Sequence, residues 1–290
     1  MPLPQYIGRF APTPTGPLHQ GSLVAALASY LDAKANSGKW LLRIEDLDPP
    51  REDKSASTLI PQQLLSHGLE WDGDIEFQSQ NSARYEKHLA QLKNRHLIFP
   101  CSCSRKNLAS QQGLHKGNCH SSMLSQHAWR LAVCDENWSF QDATYGPYSQ
   151  NLLLEVGDQV LKRKDGLYAY QLAVVVDDFH SGITHVVRGL DLLDNTPRQL
   201  YLMNLLNMPA PKYLHLPLIT NESGQKLSKQ NQAKALNLNT VEDNLLAALS
   251  FLHQAKPPAQ FQHDKQQILS WAIQHWQPQA IPALKIGLDT

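Results

Sequence analysis

Arg9-Phe10-Ala11-Pro12-Thr13-Pro14-Thr15-Gly16-Pro17-Leu18-His19-Gln20-Gly21-Ser22 is the stretch whose reading decides the fold. It starts inside a short apolar run, Tyr6 to Phe10, that reads as a strand. The run breaks at Ala11. Pro12, Pro14 and Pro17 with Gly16 forbid regular structure up to Pro17, because proline fixes φ and lacks an N–H. A helix pattern follows: Leu23, Ala26, Leu27, Tyr30, Leu31 and Lys34 recur at spacings of three and four. Asn36-Ser37-Gly38 ends it, and Trp40 to Ile44 is a second strand candidate leading into Glu45-Asp46-Leu47-Asp48-Pro49-Pro50.

Strand, loop, helix, strand is the signature of an α/β fold with a parallel sheet. In such sheets ligands bind beyond the carboxyl ends of the strands, so the Pro/Gly loop and the Glu45 turn are expected there. Downstream, residues 53–67 and 81–95 read as helices. Short alternating runs between 127 and 163 read as strands of an inserted module. Ala169 to Asp177 holds the apolar run Leu172-Ala173-Val174-Val175-Val176 and reads as a buried strand, and Ile183 to Arg188 as another. Pro197 to Leu206 is a helix with proline near its first turn. Tyr213 to Ile219 reads as the last strand of the sheet, and residues 229–276 as mostly helical.

Bulk properties exclude some functions and leave others open. Lys+Arg and Asp+Glu number 26 each in 290 residues, so overall charge does not point to nucleic acid, though a local basic patch is compatible with it. No run of about 18 uncharged apolar residues suggests a membrane span. Met1 to Phe10 lacks the basic and apolar regions of a secretory leader, so a cytoplasmic location is expected. Three of the four cysteines, Cys101, Cys103 and Cys119, fall close together. In a cytosolic protein that clustering reads as metal ligation rather than a disulfide framework. With His115 or His120 as the fourth ligand they suffice for one tetrahedral zinc; adjacency of His120 to Cys119 strains their joint use, which favours His115. Cys134 follows Leu131-Ala132-Val133 and reads as a buried thiol beside a core strand.

Two segments suit polyphosphate. At Pro17-Leu18-His19-Gln20-Gly21-Ser22 a loop turns into a helix near Gly21, where free N–H groups and the dipole favour an anion. His19 can donate to a phosphate oxygen, Gly21 permits close approach of a nucleoside, and Ser22 can cap the helix or bond the ligand. Far downstream, Gly224-Gln225-Lys226-Leu227-Ser228-Lys229 places two lysines around a serine on a glycine-led loop, a clasp for departing pyrophosphate. Each alone is compatible with a plain turn or a solvated basic loop. Together, in this order and with an α/β pattern between them, they resemble the two signatures of class I aminoacyl-tRNA synthetases. Ser22 stands where the first signature ends in histidine, and Gln230 where the second ends in serine.

The resemblance extends to the glutamyl branch of that family. It is carried by Arg9 to Gly16, by Arg43-Ile44-Glu45-Asp46-Leu47-Asp48, by Tyr170 to Asp178, and by Ile183-Thr184-His185-Val186-Val187-Arg188-Gly189. Physically these residues suit glutamate. Guanidinium grips carboxylate in a fork, which Arg9 and Arg188 can supply with the Tyr170 hydroxyl. Glu45 at a strand end can hold the α-ammonium. The resemblance implies a glutamate pocket of Arg9, Phe10, Ala11, Pro12, Thr13, Glu45, Tyr170 and Arg188. It implies an ATP site of His19, Gly21, Ser22, Lys226, Ser228 and Lys229, with His19, Ser22, Lys226 and Lys229 assisting catalysis. It implies magnesium with the ATP, and a structural zinc on Cys101, Cys103, His115 and Cys119.

The implied architecture is a Rossmann-like class I catalytic domain at 1–100 and 168–235. A zinc-containing module is inserted at 101–167, and a short helical subdomain at 236–290 stands where an ordinary glutamyl-tRNA synthetase continues into a large anticodon-reading domain. That brevity, with Tyr145-Gly146-Pro147, Lys162 to Leu167 and Asp191 to Asp194, resembles the truncated glutamyl-queuosine tRNA(Asp) synthetases. The resemblance implies activation of glutamate with ATP in the absence of tRNA. Transfer to the queuosine base in the anticodon of tRNA(Asp) follows, with Lys162-Arg163-Lys164 as candidate phosphate contacts. The rival expectations are a conventional 3′-end glutamyl-tRNA synthetase and a catalytically silent RNA-binding paralogue.

Overall fold

The computed structural model describes residues 5–109, 112–117, 126–219 and 234–283. The first strand and helix form where the pattern predicts them: β1 is Ile7–Phe10, α1 is Gln20–Ala35 and β2 is Lys39–Ile44. Helix α1 starts at Gln20 because His19 is its N-cap, the imidazole Nδ1 accepting the Ser22 N–H at 3.3 Å. Ser22 is therefore capped rather than capping, a correction to the sequence reading. The helix ends where Gly38 N–H reaches back to Ala33 O at 2.8 Å. A Cβ on Gly38 would lie 2.5 Å from Tyr6 O, so only glycine lets the chain pass there into β2.

The next elements are α2 (Ala56–Ser66), β3 (Glu76–Phe77), α3 (Ser82–Asn94), β4 (Ile98–Cys101), α4 (Arg105–Leu108), β5 (Ala128–Leu131), β6 (Asn137–Asp142), β7 (Gly146–Asn151) and β8 (Gln159–Lys162). Then come α5 (Tyr170–His180), β9 (His185–Gly189), α6 (Thr196–Leu206), β10 (Lys212–Leu216), α7 (Val241–Phe251) and α8 (Lys265–Gln274). The sequence reading placed a strand at 169–177; the chain there is helix α5. Residues Leu172 to Asp178 are all buried, against α3 and α6 on one side and β8 on another. An unbroken apolar run signals two-sided burial, which a strand and a core helix share, and packing here overrides the strand preference of three valines.

Strands β1, β2 and β3 pair in parallel, with Ile7 opposite Lys39 and Arg43 opposite Glu76. Strands β9 and β10 also pair in parallel, Lys212 opposite His185 through Leu216 opposite Gly189. The two sets meet at Thr184, whose N–H donates to Ile7 O and whose Oγ1 accepts Ile7 N–H, both at 2.9 Å. The far edge of β10 carries the β6–β7 hairpin, with Tyr213 opposite Asp142. Strands β4, β5 and β8 form a separate antiparallel sheet. Residues 101–167 thus feed two sheets. Cys134 lies beyond β5 and is half-buried, not a core-strand thiol.

One core surrounds α1, which is buried on nearly every side between the parallel strands and α7–α8. A second surrounds α5 with α3 and α6. Among the described residues no helix is long and apolar enough to cross a membrane. The carboxyl ends of β1, β2, β9 and β10 open on a common region, at Phe10, Glu45, Gly189 and Leu216.

Candidate active site

A cavity of about 1100 Å³ lies over those strand ends. Arg9, Phe10, Ala11, Thr13, Glu45, Tyr170 and Arg188 all line it. A neighbouring cavity of about 490 Å³ is lined by Pro12, Leu18, His19, Gly21 and Ser22, at the start of α1, and by Leu216 to Ile219 after β10. Phe10, Thr13, Ala25, Gly189 and Asp191 border both, so the two form one cleft. Those sequence-selected residues of the two groups that are described thus line one cleft, Pro12 on the His19 side.

Buried charged side chains shape the larger cavity. Arg9 makes a side-on fork to Asp178, Nε to Oδ1 at 3.1 Å and Nη2 to Oδ2 at 3.3 Å. Asp178 Oδ1 also accepts Arg43 Nη1 at 2.8 Å, and Arg43 Nη2 lies 3.6 Å from Glu45 Oε1. Burial between two guanidinium groups sets the two acids apart. Burial would raise Asp178, but Arg9 and Arg43 hold it below the ordinary aspartate value. Burial dominates at Glu45, which is pushed up to about 7 despite Arg43 and Arg9. Arg188 is held differently, by neutral acceptors on β10, α6 and the turn between β9 and α6. Tyr170 and Asp178 lie on the same face of α5, two turns apart, which is how one helix supplies a cavity wall and the ion behind Arg9.

At the second cavity the His19 hydrogen bond has a chemical consequence. An Nδ1 that accepts the Ser22 N–H carries no proton, so the neutral ring bears its hydrogen on Nε2 as a donor. Lys226, Ser228 and Lys229 lie outside the described residues. Both described flanks of that segment reach this cavity: Pro217 to Ile219 line it, and Ala235 bridges to His19, with Leu236 N–H donating to Leu18 O at 2.9 Å.

Cys101, Cys103 and His115 bring their donor atoms within 4.8 Å of one another; Cys119 and His120 lie outside the described residues. Asp158 Oδ2 takes His115 Nδ1 at 2.8 Å, which leaves Nε2 as the ring's ligating atom. Arg130 Nε donates to Cys101 Sγ at 3.2 Å. Gly157 makes the approach possible, since a Cβ there would sit 2.6 Å from His115 O. Two sulfur donors and one imidazole nitrogen suit a soft-metal site.

Sequence reasoning missed Asp178, Asp158, Asp142 and His215. Asp178 closes the Tyr170 to Asp178 block, and it is as part of helix α5 that it meets Arg9. The other three carry no local signal, because their partners are 43, 73 and 27 residues away.

The comparisons with known proteins agree with this geometry. Residues 7–254 match the family model described as tRNA synthetases class I (E and Q), catalytic domain. A protein named Glutamyl-Q tRNA(Asp) synthetase from Neisseria meningitidis serogroup C is 47% identical over 290 residues, spanning 96% of this chain and 97% of that protein. One of the same name from Pseudomonas fluorescens is 51% identical over 280 residues, spanning 96% and 94%. Among solved structures, a glutamate tRNA ligase from Elizabethkingia meningosepticum superposes with a TM-score of 0.80 at 21% identity, covering 97% of this chain and 66% of that one. That likeness concerns the fold. The chain belongs to the class I tRNA synthetases (E and Q), and within that ligase family to the glutamyl-Q tRNA(Asp) synthetases.

Proposed function

We propose that this enzyme activates L-glutamate with ATP in the absence of tRNA and then transfers the glutamyl group to the queuosine base in the anticodon of tRNA(Asp). The observation that carries the reading is the single cleft in which Arg9, Glu45, Tyr170 and Arg188 face the His19 end of α1. The names and near-full-length match of the relatives support the acceptor.

In the first step a glutamate α-carboxylate oxygen attacks the α-phosphorus of ATP. The new O–P bond forms as the bond to pyrophosphate breaks, and no protein nucleophile is needed. Glu45 holds the α-ammonium, while Arg188 and Arg9 take the γ-carboxylate, with Tyr170 beside them. His19 donates from Nε2 to a phosphate oxygen, and the α1 N-terminus, with Gly21 and Ser22, adds its dipole. Lys226 and Lys229, with Ser228 between them, offset charge on the departing pyrophosphate. Magnesium bound with ATP supplies further charge neutralisation. In the second step a queuosine hydroxyl attacks the glutamyl carbonyl and releases AMP. The larger cavity exceeds the needs of one amino acid, and its outer wall of Leu47, Pro50, Val160 and Tyr168 is the room we assign to the acceptor base.

The ionisation of Glu45 gives this reading a pH signature. With its carboxyl raised to about 7, the empty site is neutral at that position below neutrality and anionic above it. Binding the α-ammonium requires the anion. The KM for glutamate is therefore expected to rise as pH falls below about 7, approaching tenfold per unit, and to level off at higher pH. Initial rates across pH 5.5–8.5 check this, and Glu45→Gln should raise KM and remove that dependence.

Zinc is proposed on Cys101, Cys103, His115 and Cys119 as a structural ion. Asp158→Asn is expected to weaken zinc retention about 10- to 100-fold in competition with a chelator, because the carboxylate sets the His115 tautomer. Unchanged retention would remove Asp158 from the site.

The acceptor is tested by transfer of labelled glutamate. Queuosine-containing tRNA(Asp) should be acylated and queuosine-free tRNA(Asp) should not. Labelling at the 3′ end of either would favour a conventional synthetase instead.

A further inference from the structure

With the larger cavity read as the glutamate site, Arg188 is a cavity cation that has no carboxylate partner among the described residues. Its Nε donates to His215 Nε2 at 3.1 Å, Nη1 to Gln199 Oε1 at 2.9 Å, and Nη2 to Thr196 Oγ1 at 2.7 Å and Leu192 O at 3.2 Å. Of the five guanidinium hydrogens one, on Nη1, is left for a ligand. All four acceptors are neutral, and among the described residues no carboxylate pairs with Arg188. Arg9 is built the opposite way, directly on Asp178.

The His215 contact is specified one step further back. Arg188 can only donate, so His215 Nε2 must be the unprotonated nitrogen. The ring then carries its proton on Nδ1, which faces Asp142 Oδ2 at 2.6 Å. The other oxygen, Asp142 Oδ1, accepts the amides of Thr144 and Tyr145 at 3.0 Å each. Both side chains are fully buried. We propose that Asp142 and His215 are positioning residues that lock the imidazole as an acceptor and so fix Arg188 in the orientation that selects the substrate's γ-carboxylate. The neutral ring acts as a spacer. It keeps the Asp142 anion behind Arg188, where it steadies the cation without occupying the face that a γ-carboxylate needs. Burial pushes the His215 ring down from its ordinary value, in keeping with a neutral spacer at neutral pH.

The test turns on the tautomer. In Asp142→Asn the turn amides require an acceptor, so the new amide must keep its oxygen on Thr144 and Tyr145 and turn its NH2 toward His215 Nδ1. The ring then holds its proton on Nε2 and meets Arg188 donor against donor. Glutamate-dependent ATP–pyrophosphate exchange in this variant is expected to show a KM for glutamate raised about 10- to 100-fold, a KM for ATP unchanged, and kcat within about threefold of the parent. The preference for glutamate over glutamine should fall with it. A folded Asp142→Asn protein with the parent KM for glutamate would overturn the proposal.

A measurement on the unaltered enzyme does not depend on the variant folding. The 15N shifts of His215, assigned by their loss in His215→Gln, should show Nδ1 protonated and Nε2 bare at neutral pH; a proton on Nε2 would overturn the proposal. The glutamate reading fails separately, if the unaltered enzyme shows no glutamate dependence, and the ring measurement still decides the tautomer.

Discussion

Arg188→Ala is expected to raise the KM for glutamate by roughly 10²–10³, about 3–4 kcal/mol, with much less effect on the KM for ATP. The size follows from the burial of Arg188 and from its lack of a carboxylate partner among the described residues. A substrate γ-carboxylate is then the charge that completes it, and charge-assisted pairs out of water are the strong ones. Truncation also strands the acceptors on His215, Gln199 and Thr196. Arg188→Lys should not restore binding, because three hydrogens on one point charge cannot serve four acceptors and a ligand. Exchange kinetics with glutamate, aspartate and glutamine check this, with thermal unfolding to confirm that the variants are folded.

Lys229→Ala is expected to act on the other half of the cleft. Here kcat for adenylate formation should fall about 10²–10³-fold, roughly 3–4 kcal/mol, while the KM for glutamate stays within about threefold. The flanks of the segment carrying Lys229 end at the His19 cavity, one lining it and the other bridged to His19 itself. A cation delivered there meets the phosphates and not the amino acid. An equal rise in KM for glutamate with unchanged kcat would place Lys229 in the wrong half of the site.

The opening strand, loop, helix and second strand were legible because each has its own local signal. Proline and glycine mark the loop, 3.6-residue periodicity marks α1, and Asn36-Ser37-Gly38 marks its end. Helix α5 was not legible, since periodicity vanishes when both sides of an element are buried. That one error hid Asp178, which points at Arg9 only from a helix. Arg9, Glu45, Tyr170 and Arg188, which line one cavity, are picked out by resemblance and by the chemistry of a diacid. Their supports were not found. Asp142, His215 and Asp158 are buried polar groups defined by distant partners, and nothing within a few residues of them announces the pairing. The signal for Cys101, Cys103 and His115 was compositional, and the convergence of their donor atoms is a property of β4 and the loop beyond it.

The two cations of the larger cavity are held in different ways. Arg9 belongs to a compact ion cluster with Asp178, Arg43 and Glu45 whose charges are largely met internally. Arg188 is held by neutral groups, and on the proposed reading it is the selective element. On that reading, discrimination of glutamate from glutamine would come from a buried charge that a neutral amide leaves unmet.

The most direct measurement is ATP–pyrophosphate exchange by the purified enzyme with no tRNA present. Exchange that depends on L-glutamate, and is far weaker with L-glutamine or L-aspartate, is the result expected from a cleft that holds a diacid beside a polyphosphate site. Absence of exchange with glutamate, or exchange indifferent to which amino acid is added, would contradict it.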